Sequence, residues 1–72
     1  MYSSQIARYE RIRGRTEAKL RDRRDELGKL DREALVRLLT REALDEEFED
    51  IITANYEWDA VERIVRRAVE AV

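Results

Sequence analysis

An all-α bundle of three or four helices is the fold this sequence predicts, and three observations predict it. The 72 residues contain no proline and only two glycines, Gly14 and Gly28, so breaks in regular structure are few. Apolar residues recur three and four apart through most of the chain, the period of a helix that buries one face. Charged residues are 44% of the chain and hydrophobic residues 43%, too apolar for a disordered segment and suited to helices with one wet side. A chain this short forms one domain, residues 1-72, and buries only about 60% of the surface its unfolded form exposes. Cysteine and histidine are absent, so neither a disulfide nor the usual zinc ligands can supplement the core. A partner chain, often a second copy, is the remaining remedy at this size.

The first helix is expected over about 4-27, capped by Ser3 or Ser4, with Gly28 in a left-handed conformation behind it. Tyr2, Ile6, Tyr9, Arg13, Thr16, Leu20, Arg23, Leu27 and Leu30 alternate by four and three along it, as the seam of a coiled coil would. Asp31 is a good N-cap for a short helix over about 31-39, whose Ala34, Leu35, Leu38 and Leu39 share a face. A continuation should bring apolar residues near 42 and 45 or 46, but Glu42, Asp45 and Glu46 stand there. Leu44, Phe48, Ile51 and Ile52 form a stripe turned by about a third of a revolution, so a break near Thr40 and a third helix over about 41-54 follow, although one continuous helix wrapping its apolar face around two partners would give the same pattern. Asn55 ends that helix, and Trp58, Val61, Val65, Ala68 and Val72, flanked by Ile64 and Val69, give a last helix over about 56-71. Phe48, Tyr56 and Trp58 read as core, with the indole N–H expected on a carbonyl of the preceding turn.

Function is constrained more by absence than by motif. Without His or Cys there is no imidazole base and no thiolate nucleophile, and no Gly-rich loop cradles a phosphate, so no enzyme, cofactor or small-molecule substrate is expected. The acidic cluster of Asp45, Glu46, Glu47, Glu49 and Asp50 lacks the glycine turn and alternating ligands of a calcium loop, so no metal is expected there. No apolar run reaches the roughly 20 residues of a membrane span, and Met1 to Leu20 carry charges throughout, which suggests a cytoplasmic protein.

Charge is unevenly placed: residues 1-32 hold ten Lys/Arg against six Asp/Glu, residues 33-72 five against eleven, so the halves can attract within or between chains. Glu42, Asp45, Glu46, Glu49 and Asp50 are the candidate docking surface for a basic partner. Like charges four apart repel along them, so Glu46→Lys or Asp50→Lys is expected to leave stability unchanged or raise it. Arg8, Arg11, Arg15 and Lys19 form a row on one flank of the first helix that would suit a nucleic-acid backbone. Acidic residues share that helix, however, and a recognition helix made from residues 41-54 would present carboxylates to phosphate.

The reading that follows is a non-enzymatic helical protein–protein interaction module, a regulator, adaptor or docking domain that associates with itself. The alternative is a nucleic-acid-binding regulator using the basic row. A homodimer is expected through Tyr2, Ile6, Tyr9, Ile12 and Leu20 of the first helix, the first four toward its overhanging end. An antiparallel pairing centred near Glu17, which sets Glu10 against Arg24 twice although it brings the two Glu17 residues together, is favoured over a parallel one, which would set Lys19 against Arg24 and Glu26 against Asp31.

Overall fold

The local choices of the chain are settled by its caps. In the computed structural model, which describes residues 2-71 and the side chains of residues 5-71, Asp31 accepts a hydrogen bond from the Ala34 amide at 2.8 Å and opens a helix at Arg32. Asp50, in extended backbone, accepts from the Ile52 amide and from the Thr53 hydroxyl, both at 3.2 Å, and opens another at Ile51. Four helices result: α1 (Tyr2–Asp22), α2 (Arg24–Leu27), α3 (Arg32–Glu47) and α4 (Ile51–Glu70), with no strand among the described residues.

The long helices form a three-helix bundle. Arg8, Arg11 and Arg15 reach Glu47 while Arg23 reaches Glu42, so α1 and α3 run antiparallel. Arg66 bonds Glu33, while Leu44 and Asp45 line one hollow with Ile51 and Ala54, so α3 and α4 are antiparallel too. It follows that α1 and α4 are parallel, and Tyr9 beside Glu57 near one end agrees with Leu20 beside Val69 near the other. The core holds Ile12 and Thr16 of α1, Leu27 of α2, Val36, Leu39, Thr40, Ala43 and Leu44 of α3, Phe48, and Val61, Val65 and Ala68 of α4. Leu38, Leu20 and Trp58 pack against it half-buried.

The helical class and the long N-terminal helix are as the sequence predicts, while several boundaries differ. There is no break at Thr40: α3 runs through it, because Val36, Leu39, Thr40, Ala43 and Leu44 make a regular stripe in which a threonine and an alanine serve as core residues. The change of phase falls instead at Phe48, which leaves the helix in extended backbone and remains buried. Helices over 31-39 and 41-54 are thus one helix plus the first turn of α4, and α4 passes through Asn55 without ending. The first helix stops at Asp22 and resumes as α2 after Arg23. It also begins at Tyr2, so neither Ser3 nor Ser4 stands at its N-cap; their side chains, that of Tyr2 and residue Val72 lie outside the described residues.

Gly28 is right-handed rather than left-handed, with φ −66°; its lack of a Cβ is used in another way, since a Cβ there would come within 2.9 Å of the Arg24 carbonyl oxygen. Ile51, Ile52 and Tyr56, expected in core stripes, are 75%, 62% and 86% exposed. The extended Phe48–Asp50 segment resets the phase of α4, so its buried row is Val61, Val65 and Ala68 and the earlier residues turn outward. The Trp58 indole donates to Glu62 at 2.9 Å, not to a turn carbonyl.

Candidate interaction surfaces

The acidic and basic rows face each other across the α1–α3 seam. Antiparallel packing of two helices with i, i+4 charges brings the rows into register, and the result is an ion-pair lattice. Glu47, whose side chain is 6% exposed, receives Arg11 at 3.0 Å, Arg15 at 3.2 Å and Arg8 at 3.6 Å. Lys19 lies 3.1 Å from Glu42 and 3.0 Å from Glu46, and Arg23 donates to Glu42 at 2.8 Å. The Arg8 guanidinium also sits 4.6 Å from the Phe48 ring centroid, a cation–π contact that closes this end of the lattice.

Hydrogen bonds from Arg11, with the charges of Arg11, Arg15 and Arg8, hold the Glu47 carboxyl below the usual carboxylate range against a burial effect of opposite sign. Glu42 is lowered too, first by its hydrogen bond from Arg23 and then by Lys19. Across the α3–α4 seam, the hydrogen bonds from Arg66 lower Glu33. The Tyr9 hydroxyl, which donates to Glu57 at 3.3 Å, is raised, first by burial and then by the Glu57 charge.

This lattice changes what each candidate residue offers. Of the acidic set, Glu42 and Glu46 are engaged by α1 and Asp50 caps α4, leaving Asp45 and Glu49 as exposed carboxylates without an ion pair among the described residues. All four members of the basic row, Arg8, Arg11, Arg15 and Lys19, are paired within the chain. Like charges within each row therefore do not go unrelieved, and the premise behind the expected neutrality of Glu46→Lys and Asp50→Lys is corrected: the first would break a pair with Lys19 and the second would remove a helix cap. The sequence shows both rows but not that they are each other's partners. Glu47, the hub, is noticed in the sequence only as one of the acidic cluster.

Of the residues expected at a dimer interface, Ile12 is core, at 1% exposure. A seam read with Arg13 at its centre is rotated away from the face that Ile12 and Thr16 define, and Arg13 instead lies in solvent beside Glu10. Leu20 and Tyr9 are half-buried against their own core, and Ile6 is 62% exposed. Of the other exposed large apolar residues described, Ile51, Ile52 and Tyr56 belong to the N-terminal turns of α4, whereas Leu30, 39% exposed, lies in the turn between α2 and α3 at the opposite end. Ile6 comes one turn before Tyr9, whose hydroxyl reaches Glu57, so Ile6 and Tyr56 lie at the same end of the bundle. Beyond them an open groove between α1 and α4, about 240 Å³, is lined by Tyr9, Ala60, Arg63, Ile64 and Arg67.

Among the described residues no three acidic side chains converge as a metal site would require, and no helix is long and apolar enough to cross a membrane. Compared with protein-family models, curated proteins and solved structures, the chain matches none of them. Fold and surface together define a class: a small three-helix bundle whose opposed charge rows pair largely with each other and whose most exposed apolar side chains lie at one end.

Proposed function

We propose that this chain is a non-enzymatic helical module that binds protein, itself included, and serves in the cytoplasm as a regulator, adaptor or docking domain. The observation that carries this reading is that Ile6, Ile51, Ile52 and Tyr56, each more than 60% exposed, lie at one end of the bundle, while the other exposed large apolar residue described, Leu30, is 39% exposed. The missing histidine and cysteine support the non-enzymatic part. Pairing of Arg8, Arg11, Arg15 and Lys19 with carboxylates weighs against phosphate binding, since a nucleic acid would have to displace Glu42, Glu46 and Glu47.

The test is an affinity capture in which wild type and Tyr56→Asp are compared and bound chains are identified by mass. Because Tyr56 is exposed, the variant should keep its melting temperature and lose its bound chains. Anisotropy with labelled duplex and single strands at low salt should show no binding; tight binding that weakens steeply with salt would replace the protein reading with the nucleic-acid one.

A further inference from the structure

The α1–α4 face has a chemistry of its own. Tyr9 lines a groove with Ala60, and Leu20 lines a hollow with Val69, so a residue of α1 lies beside the α4 residue about 50 positions later. On that register Ile6 is level with Tyr56, Arg13 with Arg63 and Glu17 with Arg67. At 100° per residue, Ile6, Arg13 and Glu17 fall within about 40° of one another on α1, as do Tyr56, Arg63 and Arg67 on α4. The α1 strip therefore carries Ile6 and then Arg13 between Glu10 and Glu17, while the α4 strip carries Tyr56 and then Arg63 and Arg67, with Asp59 and Glu70 on its far side. Glu17, Arg63 and Arg67 make no ion pair among the described residues, unlike the charges of the α1–α3 seam.

We propose that this face is the interface of a parallel two-fold homodimer, its occupant a second copy of the chain with the symmetry axis along the helices. This rests on the self-association part of the functional reading. Such an axis lays α1 of one copy across α4 of the other at the same level. Ile6 then meets the partner's Tyr56 and Glu17 meets the partner's Arg67, while Arg13 comes level with the partner's Arg63 with Glu10 about one turn before them, each contact made twice. Strips of this kind are self-complementary, which a two-fold interface requires. An antiparallel pairing of α1 with α1 about Glu17 has no such support, because Ile12 is buried in its own core and the two Glu17 carboxylates would meet.

The size of the face agrees with a reversible dimer. From Ile6 to Leu20 it is about 21 Å long, and two helices at the usual spacing are about 20 Å wide. The accessible area is then several hundred Å², at or below the roughly 800 Å² per partner of a standard interface, so dissociation in the micromolar range is expected.

The chain has no cysteine, so single engineered thiols report the geometry cleanly. Light scattering of wild type up to about 100 µM should rise from the 8.6 kDa chain mass toward twice that value. Glu17→Cys and Arg67→Cys, mixed and oxidised, should form the crossed disulfide in preference to either homodisulfide. Glu17→Arg and Arg67→Glu should each weaken the dimer at least tenfold without lowering the melting temperature, and combining them should restore it. A dimer that links Glu17→Cys to itself, or that ignores both charge reversals, overturns this face while leaving self-association standing. A chain that stays at monomer mass overturns both.

Discussion

Replacing Glu47 by glutamine removes one charge from the centre of the α1–α3 lattice while keeping the side chain's shape. Three arginines lie within 3.6 Å of this carboxylate, which is 6% exposed, but the arginines themselves are 39% to 51% exposed. Hydrogen bonds to charged groups contribute about 1.5–3 kcal/mol when buried, whereas solvent screening of the arginines brings each pair here to under about 1 kcal/mol. The three together give a loss of about 2 kcal/mol. For a domain of this size each kcal/mol moves the melting temperature by about 4–8 °C, so Glu47→Gln should melt about 8–16 °C lower. Asp45→Asn, two residues before Glu47 but exposed and without an ion pair among the described residues, serves as the control and should change the melting temperature by little. Thermal melts by circular dichroism at low salt and at about 1 M salt, where the screening length falls to about 3 Å, should show the difference shrinking. If Glu47→Gln and Asp45→Asn melt together at low salt, the lattice is not what fixes α1 on α3, and the acidic face would again be free to serve a partner.

The remaining predictions concern the interior, the helix backbone and pH. Thr40 is fully buried and its hydroxyl has no hydrogen-bond partner, whereas the equally buried Thr16 donates to the Ile12 carbonyl at 2.7 Å; Thr40→Val should therefore stabilise by about 1 kcal/mol and Thr16→Val should not, and denaturant titration giving the reverse order would refute this. Gly14 sits mid-helix with open space where a Cβ would go, so Gly14→Ala should raise stability by about 0.5–1 kcal/mol, measured by the same titration; a decrease would mean that α1 needs flexibility there. Glu42 and Glu47 are lowered in the folded state, so their contribution is complete above the unfolded carboxylate value of about 4.3 and is lost as pH falls through the lowered folded values. Melting temperature should hold down to about pH 5 and drop below about pH 4. Glu47→Gln should drop less than wild type over that range, and parallel curves would remove Glu47 as a cause.

The helical class was legible because it depends on local facts: no proline, two glycines, 3.6-residue periodicity and an aspartate at position 31 in the right place to cap. Val61, Val65 and Ala68 were legible as core for the same reason, since an uninterrupted amphipathic stripe has one face to bury. The end of α3 was not. Thr40 and Ala43 look neutral in a sequence, and only the approach of α1 and α4 makes a threonine and a small residue the right filling for the seam. Asp50 shows how one residue type serves two roles: as a letter in an acidic cluster it suggested a docking surface, and the turn of the chain at Phe48 made it a cap.

The charge rows mark the same boundary for function. Composition alone established that the two halves of the chain carry opposite net charge and attract, but attraction between opposite charges has no preferred direction along a sequence. Whether Arg11 and Glu47 would meet each other or two foreign surfaces depended on the antiparallel course of α1 against α3, which brings residues 36 positions apart to 3.0 Å. Tertiary packing thus paired the whole basic row with acidic residues of the same chain and left only Asp45 and Glu49 of the acidic set exposed and without an ion pair among the described residues. It also left exposed the apolar residues at the start of α4 that periodicity had assigned to the interior.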